Sequence, residues 1–152
     1  MNKEELRTFL SAAVPGAGLE ETVDFVVLRV KKEELLAAAT LLHDNQLSRF
    51  DYLFCQTAVD LRDTFDLIYH LSSNSFKHNL VLKVRLEDRE KPELPSVTSL
   101  WQAAELYECE IFDLFGISFT GHPNLRRLFL SDDWVGFPLR KDYRDEVNII
   151  SL

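Results

Sequence analysis

Glycine is scarce in this chain. There are five in 152 residues, at positions 16, 18, 116, 121 and 136, about 3% where globular proteins average roughly 7%. None completes a GxGxxG or GxxxxGK[ST] pattern, so a glycine-rich phosphate cradle is excluded. Cysteine is scarcer still. Cys55 and Cys109 stand far apart, and two isolated thiols cannot supply the four ligands of a structural zinc or of a typical iron–sulfur cluster. No apolar run approaches the ~18 residues of a membrane span. The start, Met1-Asn2-Lys3-Glu4-Glu5, is too polar for a secretion signal. Positive charge is in deficit as well: 17 Lys and Arg against 25 Asp and Glu, net −8, with pI near 5.0. Such a chain repels nucleic acid on average. These absences point to a cytoplasmic chain with no cofactor of its own, reaching a membrane only through a partner.

What is present is a core. The apolar fraction is 46%, enough for one folded domain with an arm. Asn2 with Glu5 resembles a capping box, and Leu6, Phe9, Leu10 and Ala13 follow at helical spacing until Pro15-Gly16. Residues 22–30 read as a strand and 31–43 as a helix with Leu35, Leu36, Ala39 and Leu42 inward. Three alternating strands follow at 49–59, 64–72 and 79–87. In the first, Phe50, Tyr52 and Phe54 share a side. In the second, Phe65, Leu67, Tyr69 and Leu71 do. In the third, Leu80, Leu82, Val84 and Leu86 do. Asp60–Asp63 is short enough to make a hairpin of the first two. The expected fold is α+β, a small antiparallel four-stranded sheet with helices on one face. Residues 1–95 form that domain, the charged segment 88–95 being a linker. Residues 96–115 carry a third helix, capped by Ser99 and Gln102, with Leu100, Ala104, Tyr107 and Ile111 inward.

After Gly116 the periodicity stops. Residues 116–152 read as an irregular, extended arm of the kind laid over a partner. Seven of the 17 aromatics fall between Phe112 and Tyr143. The arm's bases, Arg126, Arg127, Arg140, Lys141 and Arg144, are offset by Asp132, Asp133, Asp142, Asp145 and Glu146. It therefore has no net positive field for a phosphate chain, although bases between aromatics can bind single strands. Arginine among Trp, Phe and Tyr is instead the composition of a protein–protein hot spot. Glu108, Glu110, Asp113 and His122 gather near the end of the third helix. They allow an acid/base or metal site, but Glu108 and Glu110 face opposite ways on a helix. Ion pairing of these acids with Arg126 or Arg127 is the plainer expectation.

The run Tyr107-Glu108-Cys109-Glu110-Ile111-Phe112-Asp113-Leu114-Phe115-Gly116, then Phe119, Gly121-His122-Pro123-Asn124-Leu125-Arg126-Arg127, Asp132-Asp133-Trp134-Val135-Gly136 and Pro138-Leu139-Arg140-Lys141-Asp142-Tyr143 resembles the 30-kDa subunit, or C subunit, of proton-pumping NADH–quinone oxidoreductase (respiratory complex I). Glu108, Glu110, Asp113, Leu114, Phe115, His122 and Arg126 fill the positions of that family's signature. Cys109 stands where the family usually has Arg, and Phe137 where it usually has His. The resemblance implies a non-catalytic subunit on the cytoplasmic side of the membrane. It implies docking on the large D subunit, which helps form the quinone cavity, and on the connecting subunits. NADH, flavin, iron–sulfur clusters and quinone would all be held by neighbours. The expected partner-binding residues are Glu108, Glu110, Asp113, Phe115, Phe119, His122, Arg126, Arg127, Trp134, Phe137, Arg140, Lys141, Asp142 and Tyr143. Two alternatives stay open: the equivalent subunit of a membrane-bound hydrogenase or related dehydrogenase, and a free-standing acid/base enzyme using Glu110, Asp113 and His122.

Overall fold

In the computed structural model, which describes residues 1–145, three helices lie on one face of a five-stranded sheet. α1 (Lys3–Ala13) opens with the capping box read from sequence: Asn2 accepts from the Glu5 N–H, and Glu5 accepts from the Asn2 N–H. β1 (Gly18–Glu21) and β2 (Val26–Val30) follow, then a 3₁₀ turn (Lys32–Glu34), α2 (Leu35–Asp44), β3 (Tyr52–Asp60), β4 (Phe65–Ser72) and β5 (Asn79–Leu86). The sheet order is β1-β2-β5-β4-β3. Leu6, Leu10, Leu35, Ala39, Leu42, Ala104 and Ile111 from the helices share one core with the inward rows of β2, β4 and β5. The opposite face carries the Asp66 carboxylate between Arg29 and Arg85. The α+β class and the one-sided helices are as expected.

Five details differ from the reading of the sequence. The segment expected as one strand at 22–30 is the end of a hairpin. Thr22 and Phe25 close its turn, and the acidic Glu20 and Glu21 had hidden the exposed edge strand β1. β2 pairs with β5 in parallel, which suits a strand buried on both faces. In β3 a bulge between Leu53 and Cys55 shifts the register, so Leu53, Gln56, Ala58 and Asp60 turn inward while Tyr52 is exposed. Phe50 is buried, but from the loop before the strand, where its N–H donates to Leu42. Leu36 is likewise exposed and Ala38 takes its place in the core.

The link to the third helix is more ordered than its composition suggested. β6 (Glu93–Pro95), inside the expected linker, pairs in parallel with β7 (Ser118–Thr120) just past α3 (Ala104–Phe115). Ser99 does not cap α3. The helix starts later, after turns at residues 98–103, and its first turn has no side-chain cap. Trp101 fastens those turns by donating from Nε1 to the Phe50 carbonyl. Beyond β7, residues 121–145 contain no helix or strand. Residues 146–152 of the expected arm, Glu146 among them, lie outside the described residues.

Candidate interaction site at the end of the third helix

Helix α3 ends because Gly116 takes a left-handed conformation (φ 69°) and its N–H returns to the Phe112 carbonyl. A side chain there would be strained, and a Cβ would lie 2.4 Å from the Phe137 ring. The arm is thus folded back onto the helix end rather than extended away from it. Leu139 N–H donates to the Leu114 carbonyl. Arg140 Nε donates to the Phe115 carbonyl at 2.6 Å, and its other nitrogens reach the Arg89 and Gly116 carbonyls. A cation at a helix C-terminus complements the exposed carbonyls and the dipole.

Two buried aspartates tie the arm. Asp113 is fully buried. Its Oδ1 accepts from Arg127 at 2.9 Å, and its Oδ2 accepts from the successive N–H groups of Leu128, Phe129 and Leu130 at 3.0, 2.7 and 3.1 Å. Arg127 continues to the carbonyls of Trp134 and Gly136. Asp60, at the end of β3, holds the far end. It takes a bidentate pair from Arg89 at 2.7 and 3.0 Å and accepts from the Lys141 N–H at 2.9 Å. Between them runs a ladder of guanidinium and ring: Arg89 over Phe65, Arg140 over Phe65 and Phe137, Arg127 over Phe137, at 4.5–5.2 Å.

These ties respond to acid. The Arg89 guanidinium holds Asp60 far below the ordinary carboxylate range. Burial pushes Asp113 upward, but the Phe129 N–H, Arg127 and the neighbouring amides outweigh it and the net direction is down. A carboxylate depressed in the folded state adds stability above its unfolded pKa, about 3.9, and loses it as pH falls through the folded value. The urea midpoint is therefore expected to fall as pH drops below about 4. Asp60→Asn is expected to flatten that fall. An unchanged slope in the variant would remove Asp60 from the account.

Of the residues read from sequence, few are free for a partner. Phe115 and Phe119 are in the core, so they cannot serve as surface anchors. Glu108 and Asp113 are buried within the chain. Arg127 and Arg140 are spent on the arm itself, and the half-buried Phe137 ring lies between them. Tyr143 is half-buried, with its ring close against Gly136, and Asp142 reaches Arg89 at 3.4 Å. Arg126, Trp134, Lys141 and, despite its contact with Arg89, Asp142 remain exposed.

The acid/base triad does not assemble. Glu110, half-buried, lies near Cys55 and Tyr107, while Asp113 is saturated by the arm. His122 has its Nδ1 occupied by the Asn124 N–H and its Nε2 directed to the Glu105 carbonyl at 3.0 Å. Cys109, buried beside it, donates to the Asn124 carbonyl at 3.4 Å. Among the described residues no group of three or more His, Cys, Asp or Glu is placed to hold a metal ion. Sequence reading missed Asp60 and Arg89 altogether, because Asp60 finds its partners 29 and 81 positions away. It also missed the outward apolar set Phe129 (68% exposed), Val135 (87%) and Leu139 (52%) as distinct from the buried aromatics.

A family model described as respiratory-chain NADH dehydrogenase, 30 Kd subunit, matches residues 28–147. The chain belongs to that family. The match takes in α3 and the arm. The C subunit of NADH-quinone oxidoreductase from Moorella thermoacetica is 42% identical over 137 residues, 89% of this chain and 90% of that protein. The fused C/D subunit of NADH-quinone oxidoreductase from Phocaeicola vulgatus is 43% identical over 126 residues, 79% of this chain but 24% of that longer protein. A solved chain of the membrane-bound sulfane sulfur reductase, an archaeal respiratory membrane complex, shares the fold. Its TM-score is 0.83 at 24% identity, over 97% of this chain and 88% of that one.

Proposed function

We propose that this chain is a non-catalytic peripheral subunit of an NADH–quinone oxidoreductase, bound to the large D subunit by the outer surface of its arm. The carrying observation is the contrast between the two sides of residues 121–145. The inner side is fastened by Asp113, Asp60 and the arginine–phenylalanine ladder. The outer side presents Phe129, Trp134, Val135 and Leu139 together with exposed charges of both signs, Arg126, Lys141 and Arg144 and also Asp132, Asp133 and Asp142. An apolar set among charges of both signs suits a partner surface that is apolar and carries both carboxylates and basic groups. The fused C/D relative supports the D subunit as that partner. No helix among the described residues is long and apolar enough to cross a membrane, so attachment runs through the complex. The chain holds no cofactor in this reading. The flavin, iron–sulfur clusters and quinone belong to its neighbours, and contact with the connecting subunits follows from the same placement.

Trp134→Ala and Phe129→Ala are expected to weaken binding to the D subunit by about 2 kcal/mol each if they are hot spots, roughly thirtyfold. Phe129→Ala should leave the melting temperature of the isolated chain within about a degree or two, because that residue is 68% exposed, whereas Trp134, 37% exposed, also packs on the arm and its variant should melt somewhat lower. Co-purification with the membrane complex and calorimetric affinity measure this. Undiminished binding by the double variant would sink the reading.

A further inference from the structure

A buried acid beneath α3 takes no part in fastening the arm. Glu108 is fully buried on the inner face of the helix. Its Oε1 accepts from the Val97 N–H at 2.9 Å, and its Oε2 lies 2.6 Å from Ser96 Oγ. Ser96 Oγ is in turn 2.8 Å from the half-buried Thr98 Oγ1, and either hydroxyl can donate. Three other side chains face Glu108. From β4 comes Tyr69 and from β3 Gln56, opposite one another in the sheet. Both are buried without a well-formed hydrogen bond, although the Gln56 amide lies near enough to favour the ionised forms of Tyr69 and Glu108. From the turn after β7 comes His122, 4.0 Å away. Its Nδ1 meets the Asn124 N–H and its Nε2 points to the Glu105 carbonyl. No arginine or lysine pairs with the carboxyl.

We propose that Glu108 is a buried proton-binding site, a neutral carboxylic acid in the folded chain that exchanges its proton with solvent through Ser96 and Thr98. With the proton on Oε2, the 2.6 Å contact runs from Glu108 to Ser96 Oγ, and the Ser96 hydroxyl turns to Thr98 Oγ1. When the proton leaves, both hydroxyls reverse and Ser96 donates to the carboxylate. No heavy atom has to move between the two states. A buried carboxylate with no arginine or lysine beside it is costly even with two donors, and the neutral form is favoured. Burial accordingly raises the acid above its ordinary range, and Ser96, Val97, His122 and Gln56 only partly offset it.

The sign of the pH dependence tests this. An acid whose folded pKa is raised stabilises the fold fully below its unfolded pKa. It loses that contribution as pH rises to the folded value. Glu108→Gln removes the titration while keeping an acceptor and a donor. The melting temperature of the full-chain variant is expected to improve relative to the parent as pH rises from about 4.5 to about 8. Carbon-13 spectra of the glutamate-labelled parent should show one carboxyl that stays protonated at a pH where the other glutamates have ionised. A variant that loses ground as pH rises would overturn the proposal. So would a parent in which every glutamate carboxyl titrates in the ordinary range, a readout that stands even if the variant fails to fold.

Discussion

Asp113→Ala is expected to cost about 3–5 kcal/mol in chemical denaturation, the cost of breaking a buried ion pair by removing one partner. Four hydrogen bonds converge on that carboxylate. The alanine leaves Arg127 nearly buried without its anion and three successive amides without an acceptor. The first local sign is expected in hydrogen exchange. The amides of Leu128, Phe129 and Leu130 should lose protection well before those of β4 and β5, whose ladders do not depend on the arm. Proteolytic cleavage should appear within residues 121–141. Asp113→Asn, which retains one acceptor oxygen, should fall between the parent and the alanine. Protection of the three amides unchanged in Asp113→Ala would show that the arm is held elsewhere.

Gly116→Ala is the second large effect, for a different reason. The left-handed backbone costs at least about 1 kcal/mol for a residue with a Cβ. The methyl would also drive into the Phe137 ring, 2.4 Å away, and overpacking of this kind adds about 1–3 kcal/mol. The ring cannot yield cheaply because Arg127 and Arg140 lie against it. A total near 2–4 kcal/mol is expected. It should be relieved in part by Phe137→Ala in the same chain, because the smaller residue makes room for the methyl. A double variant no more stable than additivity allows would mean that ring and glycine are uncoupled.

Phe137 shows where sequence reading reaches its limit. Its family position was legible, and so was the departure from the usual histidine. Its neighbours were not, since the ring lies between arginines ten positions before it and three after it, and across an interface that no periodicity marks. The strands of regular alternation, 64–72 and 79–87, were legible because a period of two is local information. The β3 bulge and the β1 hairpin were not, because a one-residue register shift and a charged edge strand leave no distinct pattern. In the candidate site, the acids and arginines were recognised as a set, yet their pairing is three-dimensional. Asp113 took Arg127 as one of the two expected partners. Glu110 took neither arginine, and Arg140, expected to meet a partner's carboxylate, instead caps a helix of its own chain.

The Asp60 and Asp113 ties make a closed loop of the arm, with both ends anchored to the rigid domain before any partner arrives. Much of the conformational entropy of ordering residues 128–141 is therefore lost when the chain folds, not when it docks. Association on this surface should show the small heat-capacity change of rigid bodies meeting, scaled to the area they cover. The large change and enthalpy of a segment that folds as it binds should be absent. Cutting either tie would convert one kind of binding into the other without altering a single residue that the partner touches.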